Sequence, residues 1–374
     1  MLLEIHMLKN YPPTNLNRDD TGAPKNCMFG GALRGRISSQ CLKRAWRTAP
    51  FFRAEVGEEN LGIRTRYLPA MVAEQLLKMG VAPELVEAVQ PKLTGFGNKD
   101  GKETKDGTTA QIIFYAQEDI LAVAEAVKAQ IAMCKTVKEV KDLKAKDLQT
   151  AVSGAKVRPI TLDIALFGRM VTSDAFRDVE AAMQVAHAIS TNKITMESDY
   201  FTAMDDMLAS GSLEGAGAGM IGDADFNASC YYIYASIDTD TLQENLKYAD
   251  DPDSIIKKAV PALLRAIAFT DPNGKQNSFA GHVLPSAVLV ECKDAKIPTS
   301  LVNAFVDPVH SAKGLVRESV QALANETDML SRNYGLTVKD RIWFCVDKYD
   351  IKPETATQVC PSFSELVEAV SASL

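Results

Sequence analysis

Along this chain the hydrophobic spacing switches repeatedly between a period of two and one near 3.6, so strands and helices must share a core. "LLEIHMLKN" alternates from residue 2, with Leu3, Ile5 and Met7 on one face of a half-buried strand. The turn-rich "YPPTNLNRDDTGAPKN" follows, and "ALRGRIS" then alternates again, setting Leu33 and Ile37 against Arg34, Arg36 and Ser38. Residues 51 to 156 read as mostly helical, with a flexible polar insert at "GNKDGKETKDGTT" before a long periodic segment from 111 to 135. A strand at "ITLDIALFGRM" and a helix at "DAFRDVEAAMQVAHAIS" come next. "YYIYASI", "SAVLVECK" and "DRIWFCVDKY" supply further strands, with helices near 254–269 and 314–332. "PSFSELVEAV" closes on a capping box from Ser362 to Glu365. The stretch "GSLEGAGAGMIGDADFNASC" is too poor in large apolar residues for a core and reads as an exposed excursion. The plan is α+β or α/β without internal repeats.

The 374 residues are 46% hydrophobic, enough for one large domain or two ordinary ones. A net charge of −7 argues against indiscriminate nucleic-acid coating, which needs a concentration of cations. That average hides an asymmetry. Residues 1–50 carry eight Lys or Arg against three acids, whereas residues 194–253 carry thirteen acids against Lys247. Seven cysteines without a C-x-x-C pair fit a reducing cytoplasm and speak against a disulfide framework or a zinc site. Neither a signal-peptide core nor an apolar run of about 18 residues occurs, so no membrane is expected. Walker A, G-x-G-x-x-G and H-E-x-x-H patterns are missing, and no cofactor or metal is expected.

The densest chemistry lies in "GGALRGRISSQCLKRAWR". A helix starting after Ser38 or Ser39 places Gln40, Lys43, Arg44 and Arg47 on one face and Cys41, Leu42, Ala45 and Trp46 on the other. Helix N-terminal amides favour an anion, and Arg34 and Arg36 arrive at the same end, so consecutive phosphates are a natural ligand. A solvated basic face is the plain alternative. His187, within "MQVAHAIS", reads as an ordinary helix residue, and the four scattered histidines organise no catalysis.

The segment "NLNRDDTGAPKNCMFGGALRGRISSQCLKRAWR" resembles the start of the CasC family, the backbone subunit of the type I-E CRISPR Cascade complex. "DIALFGRM", "AHAIST", "FTAMDD" and "GKQNSFA" extend the likeness over most of the chain in order. The resemblance implies an α+β fold built on a modified RRM-like, ferredoxin-like palm (1–50, 157–190 and 228–374). Helical fingers would occupy 51–156, and 191–227 would form a β-hairpin thumb. It implies a non-catalytic scaffold that stacks head to tail along the CRISPR RNA, with other Cascade subunits and target DNA as further partners. By residue, it implies guide contacts at Arg18, Lys25, Arg34, Arg36, Ser38, Gln40, Lys43, Arg44, Arg47 and Lys275, with Met170, Thr202 and Ile221 wedging or kinking the guide. Lys135, Lys138, Lys141 and Lys144 match a lysine-rich segment that meets target DNA. The competing reading from the related type III backbone subunits is a metal-dependent ribonuclease using Asp19, Asp20 or Asp223. An unrelated acidic enzyme with a phosphate-bearing substrate would leave the thumb unexplained. The missing RNP1 pattern favours a grip on the backbone over base reading, as a guide of changing sequence requires.

Overall fold

Strand β1 (Leu2–Thr14) is buried from Leu2 to Lys9, on its polar side as well as on its apolar side. Alternation correctly separates Leu3, Ile5 and Met7 from Glu4 and His6, but both sets are covered. The polar set is tolerated because it is paired. Lys293 bonds Glu4 and Glu291, Arg341 donates to Glu291 at 2.6 Å, and Tyr232 meets His6 Nδ1 at 2.8 Å. A computed structural model of the chain describes residues 1–153, 158–203, 206, 220–310 and 314–374. The first part of the glycine- and alanine-rich excursion, 211–219, the preceding residues 207–210 and part of "FTAMDD" lie outside the described residues.

The remaining strands are β2 (Asn26–Phe29), β3 (Ala32–Ile37), β4 (Ile63–Thr65), β5 (Ile113–Tyr115), β6 (Met183–Val185), β7 (Ala188–Ser190), β8 (Glu197–Ala203), β9 (Met220–Asp238), β10 (Ala287–Lys293), β11 (Asp340–Cys345) and β12 (Gln358–Cys360). One sheet runs β12-β11-β10-β1-β9-β7-β3-β2, with β6 and β8 also pairing with β9, while β4 and β5 pair separately. The pairing is mostly antiparallel, β11 with β12 being parallel. The fold is mixed α+β.

The helices used below are α1 (Ser39–Arg47), α2 (Pro50–Val56), α3 (Leu68–Lys78), α4 (Pro83–Leu93), α5 (Gln117–Met133), α6 (Val137–Asp142), α7 (Ala145–Ser153), α8 (Leu162–Phe167), α9 (Thr239–Leu246), α10 (Pro252–Phe269), α11 (Gln276–Phe279), α12 (Leu315–Tyr334) and α13 (Phe363–Ser373). Among the described residues, no helix is long and apolar enough to cross a membrane. Ser362 caps α13, its Oγ accepting from the Glu365 amide at 3.2 Å and donating to Glu365 Oε1 at 3.0 Å, so the cap forms while the carboxylate of the expected box meets the hydroxyl in place of the Ser362 amide.

The chain divides into two compact units. The first comprises Met1–Phe52, Gln184–Ile237 and Val260–Leu374; the second comprises Arg53–Met183 and Asp238–Ala259. The first contains a core in which Leu8, Tyr232, Leu289, Phe305, Leu323 and Trp343 meet. The second packs Leu68, Val72, Val89, Ile120, Val123 and Val127 from α3, α4 and α5. Residues 158–183 and 238–259, expected with the palm, cluster with the helical part. Asn245 of α9 donates to Ala165 and Glu180 carbonyls there, at 3.1 and 2.8 Å.

Three local expectations are corrected. Residues 162–167 form the helix α8, not a strand. Leu162 to Leu166 are all buried, and a short apolar run buried all round carries no period to tell the two apart. Residues 174–190 form no helix; they include β6 and β7, because β7 finds partners in both β3 and β9. The polar insert at 97–109 is tied down. Asp106 accepts from Thr104 and from the Thr108 amide and hydroxyl, bonds that hold its carboxyl at about 2, and pairs with Arg66 at 2.9 Å. All seven cysteines are unpaired thiols.

Candidate nucleic-acid interface

The β2–β3 hairpin and α1 form the scaffold of the basic segment. Gly30 sits at the turn with φ +57°, and a Cβ there would come within 1.7 Å of the Val306 carbonyl oxygen. Gly35 leaves room for Tyr231, whose hydroxyl would lie 2.3 Å from a Cβ. These approaches give the glycines of "FGGALRGR" a packing reason. Ser38 is the N-cap of α1, its side chain accepting from the Cys41 amide at 3.4 Å. Leu42 and Trp46 are buried, which turns Gln40 and Arg44 to solvent and leaves Lys43 and Arg47 half-buried at the edge.

The loop before β2 is latched onto this junction. The Ser38 amide donates to Asn17 Oδ1 at 2.8 Å, the Lys25 amide to the Asn17 carbonyl at 2.8 Å, and the Arg36 amide to the Lys25 carbonyl at 2.9 Å. Lys25 and Arg44 both act electrostatically on the Cys41 thiol, which burial pushes up, and Lys25 and Arg36 both act on His187. Among the described residues, no carboxylate forms an ion pair with Lys25, Arg36 or Arg44. The cations of the interior are different: Lys9 pairs with Asp271, Arg341 with Glu291, and Arg158 and Arg169 with Asp119. Cations without a carboxylate partner among the described residues, Lys25 and Arg36 beside the capped start of α1 and Arg44 in its last turn, are suited to an external anion.

Arg34 does not belong to that group, and its expected phosphate contact is corrected. Its side chain is completely buried, donating from Nη1 to the Ser190 and Thr191 carbonyls (3.0 and 2.9 Å) and from Nη2 to those of Phe305 and Val306 (2.8 and 3.1 Å). Period two puts Arg34 and Arg36 on one face, but the 305–306 segment covers the first. Arg18 is exposed in the loop, bridged through its backbone to Pro24.

Thr202 and Ile221 lie directly opposite one another on the β8–β9 hairpin. Ile221 is 62% exposed and Tyr200, two residues before Thr202 on β8, 66%. At the foot of the hairpin, Asn15 Nδ2 donates to the Asp225 carbonyl at 2.9 Å, and Phe226 packs on Phe279, with 5.6 Å between ring centres. Phe279 ends α11, whose start is Lys275 in the left-handed conformation with φ +46°. Lys275 is therefore held on the loop that supports the hairpin.

Met170 belongs to the second unit and is 92% exposed. Its neighbour Arg169 is buried, bonded to Asp119 and bridged through its backbone to Val179, so the methionine stands in solvent on an anchored support. Lys135, Lys138, Lys141 and Lys144 are all exposed, on α6 and its flanks. Thr136 caps α6 and the helix stops at Asp142, so these lysines do not share one helical stripe.

Asp19 spends its carboxylate on its own turn, accepting from Thr21 and Ala23, bonds that hold it below the usual carboxylate range. Asp223 lies opposite Tyr200 on the hairpin. Among the described residues, no three His, Cys, Asp or Glu side chains gather as a metal-binding group. One residue of the interface escaped the sequence reading. His187, expected in a helix, lies between β6 and β7, with Nδ1 3.3 Å from both the Ser39 amide and Arg36 Nη1. The quoted "AHAIST" motif was its one signal.

A family model described as CT1975-like protein matches residues 3–369. The chain belongs to the CT1975-like family. It is also similar to a solved chain titled "CRISPR RNA-guided surveillance complex, pre-nicking", at 26% identity and a TM-score of 0.81, with all of both chains covered. A second, titled "CRISPR RNA-guided surveillance complex", shares the fold at 23% identity and a TM-score of 0.72, again over the whole of both. No curated protein matches. The CasC-like character of this CT1975-like chain, legible first in its N-terminal motifs, thus extends over its full length.

Proposed function

We propose that this CT1975-like protein is a non-catalytic RNA-binding scaffold of a type I-E Cascade surveillance complex. The observation that carries the reading is Lys25 and Arg36 at the capped start of α1 with Arg44 farther along the same helix, none of them with a carboxylate partner among the described residues, in a chain whose full length matches surveillance-complex subunits. Contacts of this kind hold a phosphate backbone and ignore base identity.

In this reading the first unit is the RRM-like palm with the β8–β9 hairpin as thumb, and the helices of the second unit are the fingers. Thr202 and Ile221 kink the guide, Met170 separates bases, and Lys275 supports the thumb contact. Lys135, Lys138, Lys141 and Lys144 meet target DNA. Copies stack head to tail in the cytoplasm, a heterologous contact that does not close on itself. The acids of 194–253 lie outside the guide groove, and part of them has a local task, since Asp238 caps α9.

The scaffold reading is tested with the chain co-expressed with a CRISPR RNA: a ribonucleoprotein containing several copies per guide is expected, and protein recovered free of RNA would overturn it. Incubation with labelled RNA and magnesium addresses the nuclease alternative. Intact RNA is expected, whereas a product that disappears on replacing Asp19, Asp20 or Asp223 would make the chain an enzyme. Met170→Ala should change unfolding free energy by less than about 0.5 kcal/mol, because an exposed side chain contributes little packing. It should lower the emission of 2-aminopurine placed at the wedge in a bound guide; unchanged emission would remove the wedge role.

A further inference from the structure

Strand β7 pairs with β3 so that Ala188 stands opposite Ile37 and Ile189 opposite Arg36. The preceding residue, His187, therefore comes level with Ser38 at the start of α1, with its imidazole exposed. Its Nδ1 lies 3.3 Å from the backbone N–H of Ser39 and 3.3 Å from Arg36 Nη1. Both of those groups are obligatory donors, so Nδ1 is the acceptor and the ring proton sits on Nε2. Partial burial, then the charges of Arg36 and Lys25, hold the imidazole below its ordinary value. Between two cations the ring is thus a neutral donor that adds no further repulsion to the cluster. A cation donating to Nδ1 also polarises the ring and strengthens the N–H on its far side.

We infer that His187 is a further ligand of the guide backbone, its Nε2–H donating to a phosphate oxygen held beside Lys25 and Arg36. The inference rests on the RNA-scaffold reading and adds to it an uncharged contact of fixed tautomer. Such a contact has a distinct signature. A neutral donor releases no counterion, so its loss lowers affinity by the same factor at every salt concentration, whereas loss of a cation flattens the salt dependence.

Two substitutions separate the roles of the two ring nitrogens. In His187→Asn the Oδ1 replaces Nδ1 as acceptor for Ser39 and Arg36, and the distal donor is gone. In His187→Gln the distal Nε2 donor is retained. Full-length wild type and both variants, checked by thermal melting, are titrated with an unstructured uridine-rich RNA from low to moderate salt. The Asn variant should bind about fivefold more weakly with an unchanged salt slope, the net effect of one lost hydrogen bond, and the Gln variant within about twofold of wild type. An Asn variant that binds like wild type would overturn the inference. A flattened slope in that variant would equally overturn it, since His187 would then act only by placing Arg36. Wild type that fails to bind RNA would sink the scaffold reading itself, and this contact with it.

Discussion

Alanine at Lys25, Arg36 and Arg44 together should weaken binding of guide RNA by about a thousandfold at moderate salt, roughly tenfold for each charge-assisted contact. The loss should be equal for guides of unrelated sequence, because in the proposed reading these cations meet phosphates rather than base edges. The slope of log affinity against log salt should shrink by about 0.7 for each contact, or about 2 for the three. Folding should be almost unaffected, since among the described residues none of the three has a carboxylate partner to strand. Titrations at several salt concentrations with two spacer sequences decide it. A slope equal to that of wild type would mean that the cluster is a solvated surface and that the guide runs elsewhere.

Arg34→Met is expected to do the reverse. The guanidinium donates to four carbonyl oxygens inside the first unit, and a methionine fills most of its volume while donating to none of them. The Thr191 carbonyl keeps the Val309 amide at 2.9 Å, so the cost falls on the other three; a buried acceptor left without a partner costs about 1 to 3 kcal/mol where no water replaces the donor, and a destabilisation of about 3 kcal/mol is expected. Denaturant unfolding measures it. RNA affinity of the fraction that remains folded should keep the wild-type salt slope. A variant as stable as wild type but with a reduced slope would return Arg34 to the phosphate site, and the contrast with Arg36 would be lost.

These two arginines show where sequence stops determining the site. Strict alternation in "ALRGRIS" assigns Arg34 and Arg36 to the same face of β3, and that much is local stereochemistry. Their different fates come from Phe305 and Val306, about 270 residues along the chain, whose carbonyls meet one guanidinium and leave the other beside His187. No local pattern encodes that meeting. His187 was misread for the same reason. Its segment has helix-compatible spacing, but edges offered by β3 and β9 outweigh a weak helical preference, since most helical stability is supplied by tertiary packing.

What the sequence determined by itself was whatever short-range physics decides. The Ser38 and Ser362 caps, the amphipathic division of α1 and the motif series that marks the CasC-like family all follow from neighbours within a turn or two, or from the order of short segments. Tertiary structure alone decided which cations face solvent, that both sides of β1 are covered, and that 160–190 exchanges its expected strand and helix. Burial and long-range pairing set those outcomes, and a buried cation is tolerated only where distant partners satisfy it.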